Sequence, residues 1–100
     1  MPTPEDIQRS STLLTAVARY DDLRLRDSAG APLSREEALE LLALGEAIAR
    51  MAAYGRQLDV RSARAAGASW SQVGEALGTT KQAAWEAHTR WLDTQTEPAR

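Results

Sequence analysis

The sequence predicts an all-α protein, and three observations support that fold class. Alanine and leucine, which favour helices, are abundant, whereas residues that favour strands are few. Proline is confined to the two ends of the chain and to one loop, so it interrupts no predicted helix. Apolar residues recur at helical spacing through most of the chain. A chain of 100 residues suffices for a single domain with one modest core.

The first predicted helix runs from Pro4 or Glu5 to about Arg26. Proline suits the first turn of a helix, and the two acidic residues that follow it lie where the helix dipole favours anions. A loop is predicted over Asp27–Leu33, because this segment contains both a glycine and a proline. The face that we expect the first helix to bury consists of Ile7, Leu14, Val17 and Ala18.

A second, longer helix is predicted to begin at Ser34, which forms a capping box with Glu37. It can continue to Ala66 or bend near Gly55, and we favour continuity because nothing beyond that glycine looks like a loop. Gly67 then provides a natural stop. An apolar seam with spacings of 3, 4, 3 and 7 residues consists of Leu41, Leu44, Ile48, Met51 and Leu58.

The segment Ala63–Trp91 predicts a short helix, a three-residue turn and a further helix. A capping box of Ser69 and Gln72 precedes the short helix, which we expect over Ser71–Leu77. Gly74 is expected where the two helices approach closely, because a larger side chain there would push them apart. The inward-facing residues of the short helix are expected to be Val73, Ala76 and Leu77.

Gly78 follows the short helix directly, where a left-handed backbone conformation is favoured and glycine adopts it freely. The next helix opens at Thr79 or Thr80, since either hydroxyl can cap it, and runs to about Leu92. Its buried stripe is expected to consist of Ala84, Ala87 or His88, and Trp91. Its outward-facing residues are then Thr80, Lys81, Gln82, Trp85, Glu86 and Thr89. Two helices joined in this way form a helix-turn-helix, whose second helix is shaped to lie in the major groove of DNA.

The outward polar side chains have the chemistry that DNA contacts require. Gln82 can make a bidentate contact with adenine, and Lys81 can reach guanine or a phosphate. Thr80 and Thr89 can anchor to phosphates through their hydroxyl groups. We expect further contacts to the DNA backbone from Ser71, Gln72, Arg61 and Arg64, although a solvated helix face explains the two arginines equally well.

The motif GASWSQVGEALGTTKQAAW, over Gly67–Trp85, resembles a helix-turn-helix of small actinobacterial DNA-binding proteins, typically written G-[AV]-S-W-x-x-[IV]-G-x-A-L-G-[VT]-[ST]-[RK]-Q-A-A-[WH]. It is also similar to the region of sigma factors that reads the promoter −35 element. The resemblance implies that Thr80, Lys81 and Gln82 form the DNA-reading start of the recognition helix. The chain departs from the family's usual valine, arginine and phenylalanine at Thr79, Ala87 and His88.

The charge distribution predicts modest electrostatic attraction to DNA. The net charge is −2, with seven arginines against ten acidic residues in residues 1–59 and five basic against four acidic residues in residues 60–100. Because phosphate neutralisation supplies most nonspecific affinity, we expect modest affinity and a shallow salt dependence. A neutral face centred on Trp85 would favour a protein partner, whereas DNA would be favoured by a positive strip along Arg61, Arg64, Lys81 and Arg90.

Composition excludes several other classes of function. Without cysteine and with a single histidine, the chain has no disulfide framework and no usual zinc site, so we expect neither a metal nor another cofactor. No apolar run approaches the roughly 20 residues of a membrane span, and we find no signal segment, so a cytoplasmic location is expected. We expect no enzyme, because the chain has no glycine-rich phosphate loop and no nucleophile motif with the histidine.

The apolar seam of the second helix has two explanations. It packs only on the first helix, or a homodimer built from residues 5–58 completes its burial. A two-fold dimer would read DNA half-sites about 34 Å apart, or at a multiple of that distance. The dimer is favoured because two helices do not easily cover a seam that is widened by Leu39, Leu42 and Ala49.

The aromatic residues of the C-terminal third leave an alternative to DNA binding. Trp91 is expected in the core, and Trp70 is expected in the core or at the cap of the short helix rather than facing DNA. His88 is expected to be partly buried, with a ligand or pH-switch role as the lesser alternative. An exposed Trp85 would either face DNA or mark a partner surface. The alternative function is a protein-interaction adaptor (a phage or plasmid adaptor, an antitoxin or a sigma-like partner) that docks through the helix-turn-helix or the Leu41–Leu58 seam. Residues 93–100 are expected to form a frayed tail.

Overall fold

The computed structural model describes residues 2–96, and over that range the chain is all-helical, as its composition predicts. Two compact units are present; one extends to Tyr54 and the other begins at Gly55, so the boundary falls within a helix. No helix among the described residues combines the length and apolar composition that a bilayer crossing requires. The helices are α1 (Pro4–Ser10), α2 (Leu13–Ser28), α3 (Arg35–Ala65), α4 (Trp70–Leu77) and α5 (Lys81–Thr96).

The prediction of one helix from Pro4 to Arg26 is wrong, because the chain leaves the helical conformation at Ser11 and Thr12. The Thr12 N–H donates to Thr15 Oγ1 at 3.0 Å, and the Thr15 N–H donates back to Thr12 Oγ1 at 3.2 Å. This reciprocal pair satisfies the backbone groups that a new helix start leaves unpaired. Hydroxyl side chains therefore cap a second helix where apolar periodicity alone predicted continuity.

The break changes which face of α2 is buried. Ala16 and Leu23 lie in the core, at 1% and 0% exposure, whereas Leu14 is 79% and Val17 is 41% exposed. Ala18 is also exposed, so of the predicted face only Ile7, which belongs to α1, is buried. A helix that starts anew at Thr12 does not keep the rotational phase of α1, and a face drawn across both helices is therefore lost.

The long helix α3 has the predicted start and end. The Glu37 N–H donates to Ser34 Oγ and the Ser34 N–H donates to Glu37 Oε1, both at 3.1 Å, which confirms the capping box. The helix passes through Gly55 without interruption and ends at Ala65. Gly67 then adopts a φ of +99°, a left-handed conformation that glycine takes at helix ends.

The first unit buries much of the apolar seam of α3 within the chain itself. Leu44 is only 3% exposed, and Leu41 and Ile48 pack against the same cluster. The seam is therefore covered within the chain at these three positions, whereas Leu42, which widens it, is 72% exposed. Leu58 is the one exposed residue among the five of the seam. The buried cluster consists of Ile7, Ala16, Leu23, Leu44 and Ala47.

The second unit has a separate small core. Val60 from α3, Val73 from α4 and Ala84 from α5 are each less than 5% exposed and pack together. Three short helical segments therefore meet through small or β-branched side chains. Helix α5 continues to Thr96, beyond the predicted end near Leu92, so residues 93–96 are helical rather than part of a frayed tail; residues 97–100 lie outside the described part of the chain.

Candidate functional site

The turn between α4 and α5 is a left-handed glycine turn. Gly78 has a φ of +69°, and its N–H donates to the Glu75 carbonyl at 3.1 Å. The Thr79 N–H donates to the Gly74 carbonyl at 2.9 Å, so the last turn of α4 keeps its carbonyl partners. Thr80 caps α5, because its Oγ1 accepts from the Ala83 N–H at 3.0 Å. These contacts fix the point at which α5 begins.

Gly74 allows this turn to close against α4. A Cβ atom at that position would lie 2.9 Å from Lys81 N, 2.9 Å from Thr80 C and 3.0 Å from Thr79 O. All three atoms belong to the backbone, so none can rotate away from an added methyl group. The close approach predicted at Gly74 is confirmed, and it holds the first residues of α5 directly beside α4.

The capping box of α4 is as predicted, but the helix begins at Trp70, one residue earlier than expected, and the side chains of its last turn do not face inward. The Gln72 N–H donates to Ser69 Oγ at 3.1 Å and the Ser69 N–H donates to Gln72 Oε1 at 2.8 Å, which confirms the capping box. Leu77 is 39% exposed and Ala76 is exposed, contrary to expectation. The α4 side chains that reach the core cluster come from the first half of the helix, so its last turn lies at the edge of the unit.

A groove of about 450 Å³ lies between the start of α4 and the start of α5. Arg64 and Lys81 contribute two positive charges to its lining, and none of its lining residues is acidic. Two hydroxyl groups, one carboxamide and two indole rings complete it. The groove brings together five of the predicted site residues, namely Arg64, Ser71, Lys81, Gln82 and Trp85, beside Ser69 and Trp70.

The other predicted site residues lie outside this groove lining. The Oε1 atom of Gln72 is engaged by the Ser69 N–H, and the Thr80 hydroxyl caps α5. Thr89 is half-buried, and its Oγ1 donates to the Trp85 carbonyl at 2.9 Å. Arg61 lies over the Trp91 ring, with 5.9 Å between its Cζ and the ring centroid. Five of the nine predicted site residues therefore lie together in the groove lining, and the other four lie outside it.

The Gln82 carboxamide also has a neighbour within the chain. Its Nε2 donates to Glu86 Oε1 at 3.0 Å, and both side chains are exposed. A carboxamide that makes a bidentate contact must present its oxygen and its nitrogen together. The Glu86 carboxylate therefore competes for the donor of Gln82, and it adds a negative charge one turn along the helix from that residue.

The basic residues whose continuous strip would favour DNA are divided between two grooves of the second unit. Arg64 and Lys81 share the groove described above, whereas Arg90 lines a second groove of about 530 Å³ together with Arg56. Alanine side chains and Leu77 form most of the remaining lining of that second groove. The basic residues thus do not form one continuous strip, and a pair of cations is concentrated at the start of α5.

Trp70, which lines the groove, belongs to a column of three aromatic rings with His88 and Trp91. Trp70 and His88 have ring centroids 5.6 Å apart, and His88 stacks on Trp91 with centroids 5.4 Å apart and an interplanar angle of 27°. Arg64 lies over Trp70, with its Cζ 4.7 Å from the ring centroid, and its Nη1 donates to the Ala68 carbonyl at 2.7 Å. This arginine is therefore held in place beside the groove.

His88 occupies the middle of this column and is 6% exposed. Its pKa is lowered below the ordinary value of 6.5 by burial, with smaller contributions from the positive charges of Arg61 and Arg64. The expectation of a partly buried histidine is confirmed. Its Nδ1 pairs with Gln57 Oε1 at 2.9 Å, which makes the neutral imidazole with a proton on Nδ1 the favoured form.

The sequence did not predict the role of Gln57, which is to hold the His88 ring by a hydrogen bond. It precedes Arg61 by four positions and Arg64 by seven, so all three share one face of α3. That spacing could have indicated its role, because a side chain on the same face of α3 as Arg61 and Arg64 is placed to contact the same aromatic column. Within residues 2–96, no group of three His, Asp or Glu side chains is placed to hold a metal ion.

Comparison of the chain with protein families, curated proteins and solved structures finds no match. Any functional assignment therefore depends on the groove, its charges and its exposed side chains.

Proposed function

We propose that this chain is a sequence-specific double-stranded DNA-binding protein, a transcriptional regulator or a small nucleoid-associated factor. In this proposal α4, the glycine turn and α5 form a helix-turn-helix, and the start of α5 enters the major groove. The observation that carries it is the acid-free groove at the start of α5, in which Arg64 and Lys81 lie beside Gln82. Cationic and carboxamide groups at the first turn of a helix are the groups that read guanine and adenine edges.

Contacts to the phosphates of the DNA would come from the side of the groove that α3 and α4 form. Arg64 is oriented by the Trp70 ring and the Ala68 carbonyl, so less conformational entropy is lost when it meets a phosphate. Ser71 lies in the first turn of α4, where the helix dipole and free N–H groups favour an anion. These two residues support a phosphate position next to the base-reading residues.

Base contacts would come from Lys81 and Gln82, which are both exposed in the first turn of α5. The contact of the turn backbone with Gly74 limits how far this helix start can move relative to α4. Such support matters because a side chain displaced by about 1 Å no longer satisfies bidentate geometry. We expect modest affinity and a salt dependence of only a few ions per chain, since few cations lie at the groove.

Trp85 favours a second candidate function, a protein-interaction adaptor. Its indole is 45% exposed, and large exposed apolar side chains often mark partner surfaces. In that case the groove would bind a protein segment and show no preference among duplex sequences. The two functions differ in one observable property, which is whether a random pool of duplexes yields an enriched sequence.

We extend the proposal to a homodimer, with its interface moved from the predicted seam. The exposed apolar residues of α2 lie on one side of that helix, with Leu14 79%, Val17 41% and Leu25 63% exposed. A second copy that packs on this stripe would bury it in both chains, as a two-fold interface requires. A dimer of this kind binds a palindromic site, so the enriched sequence should contain two inverted half-sites.

The test is selection from a random duplex pool followed by affinity measurements on the enriched sequence. The variant Lys81→Ala/Gln82→Ala should lose specific binding while its helicity by circular dichroism stays unchanged. The matched control Arg56→Ala/Gln95→Ala also removes one positive charge and one carboxamide, but from exposed positions outside the groove lining, and it should keep sequence preference. Unchanged affinity of the first variant would refute the assignment of the DNA-reading residues.

A further inference from the structure

Trp85 is the most exposed of the three tryptophans. Trp70 and Trp91 each pack against His88, whereas no aromatic partner is found for Trp85 among residues 2–96. Its indole is 45% exposed and lines the groove with Lys81 and Gln82. Helix α5 thus presents one large apolar side chain among its proposed base-reading groups.

The geometry of a helix places this indole over the same base pairs as its polar neighbours. At 3.6 residues per turn, Trp85 lies about 40° from Lys81 and about 60° from Gln82 around the helix axis. Along the axis the separations are about 6 Å and about 4.5 Å, which correspond to one or two base-pair steps of about 3.4 Å. Trp85 lies between Lys81 and Gln82 around the axis, so an orientation that lays this face of α5 along the base edges brings all three side chains to them.

The chemistry of the major groove offers an indole one kind of apolar contact. Base faces are stacked inside a duplex, so the ring meets only base edges. Those edges carry mainly hydrogen-bonding groups, and thymine alone adds a methyl group, at C5. The indole has a single N–H donor and no acceptor, so most of its surface can make only apolar contacts.

We propose that Trp85 contacts the C5-methyl group of a thymine and is a specificity-determining residue of the interface, an inference that rests on the proposed DNA binding. The thymine lies within two base pairs of the position that Lys81 and Gln82 read. A single-stranded nucleic acid would use the indole differently, by stacking a base on its face. The two modes are distinguished by the effect of one methyl group in a duplex.

The experiment replaces the thymines of the enriched duplex by uracil, one at a time, which removes only the methyl group. At one or two adjacent positions the substitution should lower the affinity of the wild-type chain about four-fold, the value for burial of one apolar carbon. The Trp85→Ala variant should bind the thymine and uracil duplexes equally. The control Lys81→Ala should bind more weakly but keep the four-fold preference.

The inference is overturned if no uracil position weakens wild-type binding, or if Trp85→Ala keeps the preference. It is also overturned if the matching single strand binds more tightly than the duplex. Should Trp85→Ala fail to fold by circular dichroism, Trp85→Gln replaces it, and an absent uracil effect in the wild-type chain is decisive alone. A random pool that yields no enriched duplex would instead overturn the proposed function, so the two failures are distinguishable.

Discussion

Substitution of Gly74 by alanine should destabilise the second unit, although alanine normally strengthens a helix. The added Cβ would lie 2.9 Å from two backbone atoms of the turn and 3.0 Å from a third. Overpacking of this kind costs about 1–3 kcal/mol, and the greater helix propensity of alanine returns about 1 kcal/mol. Because backbone atoms cannot rotate away, we expect the upper part of that range and a net loss of about 1–2 kcal/mol.

Gly55→Ala is a matched control within the same unit. Gly55 also lies inside a helix, α3, but a Cβ there meets nothing within 4 Å. This substitution should therefore stabilise the unit by up to about 1 kcal/mol. The two variants should differ by about 2–3 kcal/mol, which is roughly 10–20 °C in Tm for a unit of this size.

Thermal unfolding followed by circular dichroism measures this difference, and urea unfolding gives the corresponding free energies. The Gly74→Ala variant should also weaken DNA binding, because the displaced atoms belong to Thr79, Thr80 and Lys81, the turn and the first residue of α5. A Gly74→Ala variant as stable as the wild-type chain would contradict the reasoning. It would mean that the turn moves away from α4 at no cost.

Three further predictions concern pH, charge and assembly. The lowered pKa of His88 means that its stabilising contribution is complete above pH 6.5 and is lost as the pH falls below that value. The urea midpoint of unfolding should therefore depend less on pH between pH 8 and 5 in the His88→Gln variant than in the wild-type chain. An equal pH dependence of the two midpoints would contradict this. Glu86→Gln should raise the affinity for nonspecific duplex several-fold at low salt, with a smaller gain at high salt, because it removes a negative charge beside the phosphates; equal gains at both salt concentrations would count against it. Leu14→Glu/Leu25→Glu should convert a dimer to a monomer in analytical ultracentrifugation while Leu92→Glu does not, and a dimer that survives the first change places the interface elsewhere.

Local rules of backbone chemistry predicted much of the second unit. The capping box of Ser69 and Gln72 and the left-handed conformation of Gly78 depend on residues within a few positions of one another. Gly74 is a longer-range case that the sequence could still indicate, because two helices joined by a short turn must approach closely. The same local chemistry correctly predicted where α3 begins, at the capping box of Ser34 and Glu37.

The sequence was less informative where two local preferences compete. Apolar periodicity predicted one helix through Thr12, but reciprocal hydroxyl caps with Thr15 start a new helix there. This competition depends on small energy differences that a pattern of apolar residues does not contain. The buried face of α2 was wrong for the same reason, and the exposed stripe at Leu14 and Val17 followed from it.

Side-chain partners within the site were the least predictable feature. The sequence placed Gln72 and Gln82 among the DNA-contacting residues, but each carboxamide has a hydrogen-bond partner in the chain. A strip shared by Arg90 and Lys81 would have favoured DNA, but Arg90 lines a different groove. Such pairings are set by the rotamers and packing of neighbouring elements, which spacing along one helix does not determine.

The most direct test of the proposed interface is an NMR titration of the chain with the enriched duplex. We predict that the largest amide shift changes fall at Ser71, Lys81 and Gln82, together with the indole N–H of Trp85. Amides near Arg56 in the second groove should change little. Saturable binding with its largest changes in that second groove, and with an unaffected start of α5, would contradict the central claim.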